Sequence, residues 1–229
     1  MVIAVSACSS HSSSAPAPTR PTTTTTSTIT SRPTTTTPAP TTSTSEVATS
    51  TTDPGRLAQT GALPTSSSAH FRAVTAALWR AVVSGTPATA YPAFFPRSAY
   101  TRLKGITDPG ADYTNRLLGG FAADIRAAHQ LLGAAAAGTK LVAVTVPGQY
   151  AHWVVPGTCS NTVGYFEVAN SRVVYRVNGQ LRSFGIASLI SWRGEWYVVH
   201  LGAIVRSGAG GVVDDPAIGQ GVSQPSTSC

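Results

Sequence analysis

The chain has 229 residues and a formal net charge of +7, with 42% hydrophobic but only 11% charged residues, less than half the usual charged fraction of about 25%. That length allows one ordinary domain with a tail, or two very small domains. No stretch approaches the roughly 20 apolar residues of a membrane span, and confinement of all 17 Phe, Tyr and Trp to the interval Phe71–Tyr197 excludes disorder throughout.

The chain opens Met1-Val2-Ile3-Ala4-Val5-Ser6-Ala7-Cys8. Val5-Ser6-Ala7-Cys8 resembles the lipobox of bacterial lipoproteins, in which small residues precede a cysteine that receives a diacylglyceryl group. The resemblance implies that Cys8 is lipidated and that residues 1–8 are the truncated end of a signal peptide. A basic n-region and a longer apolar run would then precede Met1. From Ser9 to Pro54, 35 of 46 residues are Ser, Thr or Pro. Such sequence cannot build a core, because nothing apolar offsets the entropy lost on ordering. It has the composition of an extended, often O-glycosylated stalk, spanning about 35–40 Å if flexible and roughly 140 Å if polyproline-like. Residues 9–67 are therefore expected to be a disordered linker, 68–206 a globular domain, and 207–229 a Gly/Pro/Ser-rich tail.

Residues 69–206 carry 11 Arg and 2 Lys against 5 Asp and Glu, a net +8. The positive charge thus belongs to the domain and suits anionic partners such as phospholipid headgroups or wall polymers. The arginines are scattered and form no recognition motif, which argues against nucleic acid.

Within the domain, Ser68 is placed to cap a helix over 69–84, stopped by Gly85. Its apolar face is Phe71, Val74, Leu78 and Val82, at spacings of three and four. Tyr91-Pro92-Ala93-Phe94-Phe95-Pro96 is too rich in Pro for a regular element and too aromatic to stay exposed. A short helix is expected over 97–104. Asp108-Pro109 is a cap followed by an N1 proline, opening a helical pattern to about Leu132; Gly119-Gly120 weakens it by about 1 kcal/mol per glycine. After Lys140 the period changes to two. Strands are expected over 141–146, 162–168, 172–177, 181–192 and 195–201, with Asn178-Gly179 as the hairpin signal and Arg193-Gly194 as a second tight turn. Simple alternation puts His200 on the face of Trp196 and Val198. Helices followed by consecutive strands indicate an α+β fold with helices on one face of an antiparallel meander.

The helical start, the Pro/Phe-rich second element and the Trp192-Arg193-Gly194-Glu195-Trp196-Tyr197-Val198-Val199 hairpin resemble the nuclear transport factor 2-like (cystatin-like cone) fold. That resemblance implies a curved sheet around a long helix, with a pocket inside. The hairpin is also similar to that of uncharacterised secreted lipoproteins of high-GC bacteria, which implies an address rather than an activity.

Cys159, in a loop between strands, invites two readings. As a nucleophile it needs a base and an oxyanion stabiliser. Sortases place Thr-Cys at a strand end with an upstream His and a downstream Arg, roles open to Thr158-Cys159, His129 or His152, and Arg172. The rest of that signature is missing, as is the L,D-transpeptidase pattern. Alternatively, with Cys8 lipidated in an exported protein, only Cys159 and Cys229 remain, and an oxidising compartment pairs them. The closed loop would add roughly 4 kcal/mol in the chain-entropy model. A second catalytic option is general acid–base work by His200 or His152 beside Asp124. No spacing suggests a metal, no cofactor is expected, and no catalytic residue is assigned.

The expectation is a lipid-anchored cell-envelope protein whose domain is a non-catalytic ligand- or partner-binding module. Its candidate cavity is lined by Tyr91, Phe95, Phe121, Trp153, Phe184 and Trp196. The alternatives are an envelope enzyme using Cys159 or a His–Asp pair, and an accessory domain held to anionic wall polymer, headgroups or an envelope protein by charge.

Overall fold

The computed structural model describes residues 53–201, 211–213 and 215–225. Cys8, Cys229 and the stalk before Asp53 lie outside the described residues. The described residues all belong to one compact unit.

Helix α1 (Ala69–Ser84) starts where Ser68 Oγ accepts the Phe71 N–H at 2.9 Å and donates to Glu195 Oε2 at 2.7 Å. The cap therefore also ties the helix to the sheet. Phe71, Val74, Leu78 and Val82 are all buried, as their spacing requires. The helix ends at Gly85 in the left-handed region (φ 66). A Cβ there would strike the ring of His129, and that ring's Nδ1 donates to the Val82 carbonyl at 3.0 Å.

The Pro/Phe-rich stretch is a 3-10 turn, Pro87–Ala93, leading into buried Phe94 and Phe95. Phe94 stacks on Phe121 with ring centres 4.6 Å apart. Next come α2 (Arg97–Leu103) and α3 (Pro109–Asp112), the latter capped by Asp108. A π-helical turn, Tyr113–Leu118, then runs straight into α4 (Gly119–Leu132). The single long helix expected from 109 to 132 is thus continuous but interrupted by one wide turn, of the kind that recurs at functional sites.

The strands are β1 (Lys140–Thr145), β2 (His152–Val154), β3 (Tyr165–Val177), β4 (Gln180–Trp192), β5 (Glu195–His200) and β6 (Ala217–Ile218). All pair antiparallel in one six-stranded sheet, so the fold is α+β. Long β3 and β4 form the centre. β1 and β2 share the outer side of β3, and β5 and β6 share the outer side of β4. The β3–β4 turn is Asn178-Gly179, both residues with positive φ (48 and 78), as a type I′ hairpin demands.

Three boundaries differ from the sequence reading. The two strands expected over 162–168 and 172–177 are one: Asn170 adopts φ 55, but the register with β4 is the same on either side. The linker expected over 9–67 gives way to the folded unit by Asp53. Trp192 Nε1 donates to the Pro54 carbonyl at 3.0 Å, Gln59 Nε2 donates to Ser191 O at 3.0 Å, and Gln59 Oε1 accepts the Arg193 N–H at 2.6 Å. The β4–β5 turn has backbone groups that need partners, and Gln59 supplies them; composition alone carries no such information.

The tail expected to be plain linker over 207–229 contributes β6, which pairs with Arg182–Ser183 of β4. It also covers Arg172, whose guanidinium is 3% exposed and bonds to Asp215 Oδ2 (2.8 Å), Asp215 O (2.7 Å) and Ser183 Oγ (2.9 Å). A buried cation requires such partners, and the tail provides most of them.

Asp124 of α4 is fully buried; its carboxylate accepts the Leu201 N–H at 3.2 Å and the Gly211 N–H at 2.7 Å. One side chain thereby fixes the exit of β5 and the start of the described tail. Asp124→Ala should lower the unfolding free energy by about 2–4 kcal/mol, since each orphaned buried donor costs about 1–3 kcal/mol; urea denaturation measures it, and a loss under about 0.5 kcal/mol contradicts the assignment.

Candidate functional site

A cavity of about 250 Å³ lies between the helices and one face of the sheet. Its floor comes from β3 and β4. Glu167 pairs directly with Ile190 across the strands, and Ser188 Oγ donates to Glu167 Oε1 at 2.8 Å, so the three share this face with Tyr165. Glu167 is 1% exposed, and a buried carboxylate persists only where polar groups meet it. His152 Nε2, on β2, stands 3.8 Å from Glu167 Oε2.

The roof is built by α2 and the π-helical turn, which supply Tyr100, Leu103, Arg116 and Leu117, while Lys104 sits at the C-cap of α2. Arg116 chelates Asp112, with Nε on Oδ1 at 2.7 Å and an Nη on Oδ2 at 2.6 Å. Tyr100 hydroxyl donates to Asp112 Oδ2 and accepts from Arg116 at 3.1 Å. This closed trio holds the Asp112 carboxyl below its ordinary range, chiefly through the bonds from Arg116. Burial, then the bond to Asp112, drives the Tyr100 phenol well above its ordinary value.

The rim is the loop of Cys159. Lys104 Nζ donates to the Cys159 carbonyl at 2.9 Å, Gly105 N–H to Ser160 O at 2.8 Å, and Thr162 N–H to Leu103 O at 2.8 Å. Cys159 and Ser160 both sit at positive φ (48 and 58), an uncommon state for two successive residues with side chains. Burial, then repulsion from Arg116, lowers the affinity of the Lys104 amine for its proton.

The fourth wall depends on a bulge. Ser188 pairs with His200 but Leu189 with Val198, so Val199 is an extra residue on β5. Val199 and His200, which strict alternation would send to opposite faces, both line the cavity. A bulge re-aims side chains in this way, and the expectation that His200 simply shares the face of Trp196 and Val198 is corrected accordingly.

The six aromatic residues expected to line a cavity are dispersed. Phe95, Phe121 and Phe184 are completely buried as core filling. Tyr91 and Trp153 are 43% and 38% exposed. Trp196 borders a different cavity of about 190 Å³, against Leu63, Pro64 and Val146. None lines the cavity under α2. Large rings fill space between layers, whereas a cavity persists where shorter polar side chains meet.

The thiol constellation is not assembled either. Cys159 lies on the rim of the cavity under α2, and the chain's other two cysteines, Cys8 and Cys229, lie outside the described residues. Arg172 pairs with Gly185 and bonds Ser183, on the face opposite Ser188 and Ile190. His129 is engaged with α1. Of the two histidines considered for Asp124, His200 is near it, with Nδ1 3.9 Å from Oδ2, while His152 neighbours Glu167. A separation of 3.9 Å is not a hydrogen bond, and both Asp124 oxygens hold backbone N–H groups.

Sequence reasoning missed Tyr100, Lys104, Arg116 and Glu167. Glu167 had a readable signal: a lone acid two residues from Tyr165 on a strand whose other inward positions carry no charge. Among the described residues no group of three His, Cys, Asp or Glu side chains is arranged to hold a metal ion, and no helix is long and apolar enough to cross a membrane.

Burial, reinforced by nearby negative groups, pushes the phenols of Tyr165 and Tyr197 up to about 12, and burial does the same for Tyr113. Between the ordinary value near 10 and about 12 the unfolded chain binds fewer protons than the folded one, so stability must fall as pH rises through that window. Phenolate absorbance should show this group ionising near pH 12 in the folded protein and near 10 in denaturant; a single transition near 10 in both contradicts the burial.

No protein-family model, no curated protein and no solved structure matches this chain, so the geometry of the cavity is what its function has to be read from.

Proposed function

We propose that this chain is a lipid-anchored cell-envelope protein whose α+β domain, a cone of the nuclear transport factor 2-like kind, binds a small ligand without transforming it. The observation that carries the binding half is the cavity under α2. Apolar Leu103, Leu117, Ile190 and Val199 surround a few convergent polar groups from Lys104, Arg116, Glu167 and His200, which is the usual make-up of a ligand pocket. At about 250 Å³ it is smaller than the range for drug-sized molecules, roughly 300–1,000 Å³, and suits a small metabolite. The anchor rests on Val5-Ser6-Ala7-Cys8 and the Ser/Thr/Pro stalk behind it. The non-catalytic reading is supported by an Asp124 already committed to backbone N–H groups and by an Arg172 and a His129 that are engaged away from Cys159.

Export also bears on the sulfurs. With Cys8 carrying lipid, the partner left for Cys159 is Cys229, a pairing that would hold the tail against the domain.

Binding of 1-hexanol to the full chain, read by saturation-transfer NMR, should be saturable and abolished by Val199→Trp with the fold retained by circular dichroism; absent binding, or binding untouched by the substitution, overturns the cavity. Native material should partition into detergent with a diacylglyceryl mass on Cys8, and Cys8→Ser should release it. An unmodified N-terminus in the aqueous phase overturns the anchor.

Peptide mapping without reductant should recover Cys159 joined to Cys229. A Cys159 that alkylates freely, or one joined to Cys8, contradicts the pairing.

A further inference from the structure

Resting on the cavity as the ligand site, we propose that the ligand is a small amphiphilic monoanion, its carboxylate held between Lys104 and Arg116 and its short apolar body laid on Leu103, Leu117, Ile190 and Val199. Lys104 leaves the C-cap of α2 and Arg116 the π-helical turn, and both line the same cavity. Neither cation is spent. Lys104 Nζ, with three donors, gives one to the Cys159 carbonyl. Arg116 commits Nε and one Nη to Asp112 and Tyr100, and its second Nη makes no hydrogen bond among the described residues.

The two like charges oppose each other, and burial adds to the cost of keeping Lys104 protonated. An anion placed between them removes the repulsion and makes charge-assisted hydrogen bonds to both, the strong class of such bonds. Asp112 does not fill that role, because it grips Arg116 through the Nε edge as part of the trio with Tyr100. On the floor of the cavity Glu167, with Ser188 and His152 about it and Lys104 within electrostatic reach, repels a second negative group. The charge pattern therefore orients the ligand: head toward the roof cations, apolar body across the floor, and no second anionic group. A phosphate or dicarboxylate meets Glu167; a neutral alcohol gains nothing from Lys104.

Isothermal titration of the full chain at low salt with hexanoate, 1-hexanol and inorganic phosphate tests this. Hexanoate should bind about tenfold more tightly than hexanol, the equivalent of one charge-assisted bond, and phosphate more weakly than hexanoate. Lys104→Met should remove the preference for hexanoate while hexanol still binds, and Lys104→Arg should restore it. On the unaltered chain, added salt should weaken hexanoate and leave hexanol unchanged, which keeps the proposal testable if Lys104→Met does not fold. Hexanol binding as tightly as hexanoate, or a hexanoate affinity indifferent to salt, overturns the anion site and leaves the cavity standing. Phosphate matching hexanoate overturns the apolar body. Failure of every probe to bind overturns the cavity reading itself.

Discussion

The pairing of β3 with β4 is the constraint on which the rest of the molecule is arranged. Because the turn at Asn178-Gly179 is two residues long, the register of both 13-residue strands is set from that end. A slip by one residue would turn every side chain to the opposite face. It would carry Glu167 and Ser188 out of the cavity and bring Arg172 into it. The register thus decides in one step which polar groups face the helices and which face the tail. Shorter strands then complete the two outer sides, and α1 and α4 cover the apolar positions that this register turns toward them.

Opposite faces of this hairpin bury opposite charges, and each is met by a different means. On the helical face Glu167 is held by Ser188, near His152, with Lys104 and Tyr165 within electrostatic reach. On the other face Arg172 is held by Ser183 and by a tail whose Asp215 is 70% exposed. Gly221 lies so close to the guanidinium that a Cβ there would collide with it, so the tail follows the arginine at backbone distance. The tail is consequently part of the domain's electrostatics, as the run from Asp53 is part of its hydrogen bonding.

The cavity exists because regular geometry is broken around it at three places. The π-helical turn widens the helix that carries Arg116 and Leu117. The bulge at Val199 sends two successive residues to one side. The Cys159 loop bends through two left-handed residues to reach the end of α2. Idealised elements would have closed over this space with apolar side chains, and each departure instead presents a polar group to it. Strain and irregularity gathered at one locus are the mark of a place kept for something other than stability.

How much of this was legible in the sequence follows from the range over which each signal acts. The Ser68 cap, the Gly85 stop, the apolar stripe of α1 and the Asn178-Gly179 turn are decided by neighbours within a few residues, and from them the order of elements and the α+β class could be read. The nearness of His200 to Asp124 is not of this local kind, because alternation puts His200 on the face of Trp196 and Val198 and the bulge at Val199 turns it. What the tertiary structure alone decided are the places where residues far apart in the chain compete for the same space. Gln59 answers the turn at Arg193, Asp215 answers Arg172, and the large rings of Phe95, Phe121 and Phe184 fill the core instead of lining a pocket. The cavity fell to Lys104, Arg116 and Glu167 because charge, burial and three backbone irregularities converge there. No local pattern records that convergence, since it arises from the packing of whole layers.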